Sequence, residues 1–106
     1  MVARTVRMQL KPKSVAAFTR TLEHAIIPLL RQPPGFQDEM AFVVPGGRAA
    51  VSISVWDQQE DAEAYARGTY PQVLQAVANV LEGTPQVDTY AVSNSTCHKI
   101  AARVAV

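Results

Sequence analysis

Alternation with a period of two opens the chain. Val2, Val6, Met8 and Leu10 fall on one side and Thr5, Arg7 and Gln9 on the other, with Arg4 interrupting the apolar row. Successive side chains of a strand point to opposite faces, so this pattern predicts a half-buried strand with its apolar row on the core. Pro12 stops the strand, and Ser14 is placed to cap a helix running to about Gln32. In that helix Val15, Phe18, Leu22, Ile26 and Leu29 recur at spacings of three and four, which makes one apolar stripe, while Lys13, Arg20, His24 and Arg31 fall opposite. Pro28 withholds the N–H that the His24 carbonyl would accept, so a bend or a detached last turn is predicted there.

Pro33-Pro34-Gly35 breaks the chain, and the period of two returns. Phe36, Met40, Phe42 and Val44 alternate with Gln37, Glu39 and Ala41, Asp38 being the exception on the apolar side. The turn Pro45-Gly46-Gly47 folds this strand back onto Ala49 to Trp56, where Val51, Ile53 and Val55 alternate with Ala50, Ser52, Ser54 and Trp56. Asp57 with Glu60 three residues on is an Asp-headed capping box, which predicts an immediate hand-over to a helix. Gly68 is read as a left-handed stop, and Pro71 as the first turn of a second helix whose apolar side is Val73, Leu74, Val77, Val80 and Leu81. Gly83-Thr84-Pro85 ends that helix, Gln86 to about Ser93 reads as a fourth strand, and Asn94-Ser95 marks a bend before a final extended piece, Cys97 to Val106.

Strand, helix, two strands, helix pair, strand is the split βαβ order of an α+β, ferredoxin-like fold. Right-handed crossovers put all helices on one face of a four-stranded antiparallel sheet. A chain of 106 residues has core enough for a single domain spanning 1–106. The other sheet face is then bare. Thr5, Ala41, Ser52, Ser54 and Thr89 are its expected residues, too apolar for full solvation and too small to fill a core. Two such sheets packed face to face would cover each other in a homodimer; the alternative is a monomer with a solvated sheet.

Ten basic against nine acidic side chains leave a net charge of +1, which gives no electrostatic reason to expect nucleic acid or an anionic membrane as partner. Arg4, Arg7, Lys11, Lys13 and Arg20 all precede the first acid, Glu23, so the start is locally basic, as a solvated rim or an anion-attracting one. The longest apolar run, Ala25 to Leu30, contains Pro28 and is too short to span a bilayer. Cys97 is the sole cysteine, which excludes an internal disulfide and points to a reducing, cytoplasmic setting.

Few residues offer chemistry. Cys97 and His98 are adjacent in an extended piece and point apart, so they make no thiolate–imidazole pair, and Cys97 reads as a packing residue. His24 and His98 have no Cys pair or helically spaced carboxylate of the right kind, so no metal is expected. His24 lies on the polar side of its helix, and Asp57, Glu60, Asp61 and Glu63 are explained as charge at a helix N-terminus. Trp56, Tyr65 and Tyr70 cluster where the sheet meets the helix pair, either as core filling or as walls of a pocket.

A strand ending in Trp56, the acidic run Asp57-Gln-Gln-Glu-Asp-Ala-Glu-Ala-Tyr65 and the upstream Pro34-Gly35-Phe36 resemble the antibiotic-biosynthesis-monooxygenase type of dimeric α+β barrel, over roughly Val2 to Val92. The resemblance implies a homodimer through the sheet faces and a cavity between helices and sheet that holds flat aromatic molecules. It also implies oxygenation of a phenolic or quinol-type substrate without metal or flavin, the substrate anion itself reducing oxygen. Trp56, Tyr65 and Tyr70 are then the substrate-contact candidates, Trp56 as a wall, with the base unassigned. Haem-degrading members carry an Asn on the first strand, a Trp on the first short helix and a His on the next. This chain has no Asn on the first strand, Tyr65 where the Trp would fall and Gln75 near the His position, which disfavours that role. A binding or accessory protein using the same cavity without turnover is the alternative, as is another reaction on the same scaffold.

Overall fold

The computed structural model of the protein describes residues 1–100, and in it the alternating segments pair into one antiparallel sheet in the order β2-β3-β1-β4. The strands are β1 Val2–Leu10, β2 Phe36–Val43, β3 Ala49–Trp56 and β4 Leu81–Ala91. Helices α1 Val15–Thr21, α2 Ile27–Leu30, α3 Gln59–Gly68 and α4 Tyr70–Val77 cover one face, giving the α+β, ferredoxin-like arrangement that the order of elements predicts. Leu10, Phe18, Ile26, Leu30, Trp56, Tyr65, Val73 and Val77 form the core between the two layers.

Directly opposite residues of an antiparallel pair share a face, so the register sorts every side chain. Arg4 lies opposite Ser54 and Val6 opposite Ser52. Glu39 lies opposite Ser54, Ala41 opposite Ser52, and Thr89 opposite Arg4. All of these share the helix side with buried Val6 and Leu10. The expectation for the bare face is thus corrected: Thr5 lies there, whereas Ala41, Ser52, Ser54 and Thr89 lie under the helices. Burial of Trp56 decides the matter, because its indole is wholly enclosed and the period of two carries Ser54, Ser52 and Ala50 inward with it. Val51, Ile53 and Val55 turn outward.

A second correction concerns β2. Phe36 pairs with Trp56, but the next pair is Asp38 with Val55, so Gln37 is an extra residue that reverses the phase of the strand. Phe36 packs under the helices against Trp56, while Asp38, Met40 and Phe42 face outward. The open face is consequently more apolar than the sequence suggests, with Met40 59% and Phe42 48% exposed.

The first helix is not continuous. Leu22–Ile26 is a π turn, in which the Ile27 N–H reaches back five residues to the Leu22 carbonyl, and Pro28 lies in the first turn of α2. A π turn holds an extra residue and shifts the stripe by one, so Leu30 is buried in place of Leu29. Ser14 occupies the N-cap position, but its hydroxyl donates to the Pro12 carbonyl and not to the helix.

Three expectations about the later elements also change. The Asp57 box does not form: Gln58 is the N-cap of α3, and the Asp57 carboxylate accepts from Gln37 Nε2 at 2.7 Å. Gly68 stays in α3, and Thr69, which ends it, is right-handed. A left-handed glycine stands instead at Gly35 (φ +84°), whose Cα lies so close to the Asp61 carboxylate that no Cβ would fit. The last helix ends at Val77, a 3-10 turn Ala78–Val80 follows, and β4 begins at Leu81. Gly83-Thr84-Pro85 therefore lies inside a strand, where the register slips between the pairs Arg7–Gln86 and Gln9–Glu82, and Gly83 at φ +76° permits the bulge.

Beyond β4, Val92 N–H donates to the Met1 carbonyl, and Ser95 Oγ accepts from the N–H groups of Cys97 and His98. The His98 imidazole meets the Asp38 carboxylate on the open side of the sheet. Residues 101–106 of the expected extended piece lie outside the described residues. Among the described residues no helix is long and apolar enough to cross a membrane.

Candidate functional site

Arg4 occupies the centre of the inward row of β1, between Val2 and Val6, and is 5% exposed. Burying a guanidinium is costly without a partner charge. The ion pairs among the described residues join Arg7 to Asp88, Arg48 to Glu82 and His98 to Asp38, and none involves Arg4. Its cover is aromatic: the guanidinium carbon lies 3.9 Å from the Tyr70 ring centroid and 5.3 Å from that of Tyr65. Such cation–π contacts contribute about 0.5–2 kcal/mol each, less than the desolvation they oppose.

The two tyrosines belong to a chain of rings built by α3, α4 and the end of β3. Phe36 meets Trp56 edge-on at 5.5 Å, Trp56 stacks on Tyr65 at 4.7 Å, and Tyr65 contacts Tyr70 at 6.1 Å. Trp56, Tyr65 and Tyr70 are thus together in space. They differ in position, however. Tyr65 and Tyr70 line a cavity of about 40 Å³ between sheet and helices, together with Arg4, Ser52, Ser54 and an apolar end that includes Phe18, Ile26 and Val77. Trp56 is off that lining, stacked on Tyr65 and donating Nε1–H to Ser54 Oγ at 2.9 Å. Outside Tyr65 a wider cleft of about 330 Å³ runs between Pro33-Pro34 and Asp61, Ala64 and Thr69, so the Tyr65 ring belongs to both spaces.

Burial raises the Tyr65 phenol to about 12, against the pull of the Arg4 charge, with Tyr70 and Glu39 adding to the rise. Burial also raises Tyr70, and Arg4 again opposes it. Glu39 is raised above the usual carboxylate value by burial, while the Ser52 hydroxyl, donating to its Oε1 at 3.2 Å, holds it down. At neutral pH the site therefore offers one fixed cation, two neutral phenols that donate hydrogen bonds, and a carboxyl group at its margin.

Arg4 and Glu39 are the residues that sequence reasoning passes over. For Arg4 the signal is present as the one charge in the inward row of β1; for Glu39 it is hidden by the bulge at Gln37. The remaining candidates fall elsewhere. His24 is exposed on the helix surface, Cys97 is exposed, and His98 sits against Asp38 on the side of the sheet away from the cavity. Among the described residues no group of three or more His, Cys, Asp or Glu could hold a metal ion.

The sheet order and the single helical layer are those of the antibiotic-biosynthesis-monooxygenase-like fold, and solved structures bearing that family's name match the chain. Among the structures similar to this chain is a protein of unknown function from Nitrosomonas europaea, with TM-score 0.75 and 22% identity over 96% of this chain and 95% of that one. A monooxygenase from Streptomyces coelicolor, solved with the ligand nanaomycin D, matches with TM-score 0.74 and 15% identity over 89% and 88% of the two chains. A cofactor-independent oxygenase from Streptomyces nogalater matches with TM-score 0.66 and 16% identity over 92% and 97%. At these identities the likeness is one of fold. No protein-family model matches the sequence, and neither does any curated protein.

Proposed function

We propose that the protein is a cofactor-independent monooxygenase acting on a small phenolic or quinol-type aromatic, bound between the sheet and α3–α4. The observation that carries this reading is Arg4, a buried cation with no carboxylate against it among the described residues, roofed by two phenols at the polar end of a cavity. A substrate that loses a proton supplies the missing negative charge, and an electron-rich anion of this kind reduces oxygen directly. For an anthrone the balance is simple: the ring CH₂ becomes C=O, one oxygen atom of O₂ stays on that carbon and the other leaves as water. The protein contributes orientation, exclusion of water and a cation already in place for the anion. That one structural neighbour is a cofactor-independent oxygenase, and another a monooxygenase holding nanaomycin D, supports the choice of class.

A cavity of about 40 Å³ is too small for a ring, since a cavity of about 150 Å³ is what accommodates benzene. Tyr65 lines both the cavity and the outer cleft, and in this reading movement of its ring opens one into the other to admit the substrate. In this reading Tyr65 and Tyr70 contact the substrate and Trp56 backs the wall. A cytoplasmic single domain, paired through its open sheet face, completes the proposal. Binding without turnover is the second reading, favoured by the fact that no histidine or cysteine lines the cavity.

Oxygen uptake with a panel of anthrones and dihydroxynaphthalenes tests the assignment. The wild-type protein should exceed the background rate with at least one of them. Arg4→Met should lower kcat/KM by at least about tenfold, the equivalent of one charge-assisted contact, while thermal stability holds or rises because a buried unpaired cation is gone. Tight binding at background rates would move the protein to the second reading, and an Arg4→Met variant of unchanged affinity would remove the anion from both.

A further inference from the structure

Glu39 and Arg4 stand in one row across the helix side of the sheet, in the order Glu39, Ser54, Arg4, Thr89. Opposite charges in the same row, partly or wholly buried, would ordinarily pair. Here neither has a charged partner among the described ion pairs. Ser54 stands between them with its Oγ already accepting the Trp56 N–H. Two strand spacings separate the Cα atoms of Glu39 and Arg4 by about 10 Å, so the two groups flank Ser54 without meeting. The Glu39 carboxylate reaches the cavity through Ser52, which lines it and donates to Glu39 Oε1 at 3.2 Å.

We propose that Glu39 is the proton acceptor of this site, reached through the Ser52 hydroxyl. The proposal rests on the oxygenase reading above and supplies the base that reading lacks. The step balances without any further reagent. The acidic bond of the substrate breaks, its proton passes to Ser52 Oγ, and the proton of Ser52 passes to Glu39 Oε1. The products are a substrate anion against Arg4, a regenerated serine hydroxyl and a neutral Glu39. After the anion has added oxygen, Glu39 returns its proton along the same route to the peroxide, which then loses water.

The charged and titratable groups facing this row are Arg4 from β1, Tyr65 from α3 and Tyr70 from α4. Arginine does not titrate in the working range, and both phenols are raised by burial, so the acid side of a pH–rate profile is left to Glu39. Burial pushes the Glu39 carboxyl above the usual glutamate range. Because the acceptor must be ionised, the rate falls as pH drops through that raised value, and the limb sits higher than an ordinary carboxylate would place it.

The experiment compares the wild-type protein with Glu39→Gln, Glu39→Asp and Ser52→Ala. Glu39→Gln should lower kcat by about 10²–10⁴-fold with KM within a few-fold, and abolish the acid limb. Glu39→Asp should restore part of the rate and keep the limb. A Glu39→Gln rate within twofold of wild type, or an acid limb that survives in it, overturns the proposal. A second measurement needs no substrate: carbon-13 titration of the Glu39 carboxyl in the ligand-free protein, whose midpoint should move up in Ser52→Ala as the hydrogen bond to the carboxylate is lost. An unmoved midpoint overturns the Ser52 route. A midpoint that moves in a protein inactive toward the whole panel supports the Glu39–Ser52 link and places the failure with the oxygenase reading.

Discussion

Tyr65 keeps its proton long after an exposed phenol has lost it, and this has a measurable sign. Its folded value of about 12 stands above the ordinary 10.0, so between those two values the folded protein binds more protons than the unfolded chain. The contribution of Tyr65 to stability is therefore constant below pH 10 and is lost as pH rises toward 12. Ultraviolet titration should show a phenol component with a midpoint near 12 that disappears in Tyr65→Phe. Trp56, Tyr65 and Tyr70 are legible in the sequence as a cluster because a strand end and two short helices must bring them together. Arg4 is visible only as a flaw in an apolar row. Its meaning depends on having no carboxylate partner among the described residues, and that depends on register, which side-chain periodicity does not encode.

Elements are read well from the sequence where one period holds and poorly where the backbone slips by a residue. The apolar stripe of the first helix is correct from Val15 to Ile26, and the π turn then moves the next inward position from Leu29 to Leu30. Pro28 carries the signal for an irregularity, but a missing N–H does not say whether the helix kinks, ends or widens. The shift predicts an asymmetry between neighbours. Leu30→Ala should cost about 2–5 kcal/mol, as for other fully buried leucines, and Leu29→Ala at most about half as much, measured by urea denaturation. Equal losses would mean that the stripe had not shifted. β4 shows the same limit, since Gly83-Thr84-Pro85 has the composition of a terminator and serves as a bulge inside a strand.

At the scale of the molecule, the fold follows from the order of elements, whereas the character of its open face does not. The reading from sequence assigns small and hydroxylated residues to that face. The register gives it Met40, Phe42, Val51, Ile53 and Val55, a continuous apolar surface across β2 and β3. Patches of this kind are uncommon on monomers and mark contact surfaces. Light scattering should accordingly return about twice 11.5 kDa at micromolar concentration, and Ile53→Asp should return the mass of one chain. A wild-type peak at the single-chain mass would sink the pairing. Gln37 connects this outer surface with the inner one. By adding one position to β2 it places an ionisable neighbour in the interior and a thioether on the exterior; were Gln37 drawn into the regular ladder beside Phe36, the two would exchange sides. Deleting Gln37 instead closes the bulge and leaves both side chains where they are, so pocket chemistry and self-association should survive the loss of that one codon together.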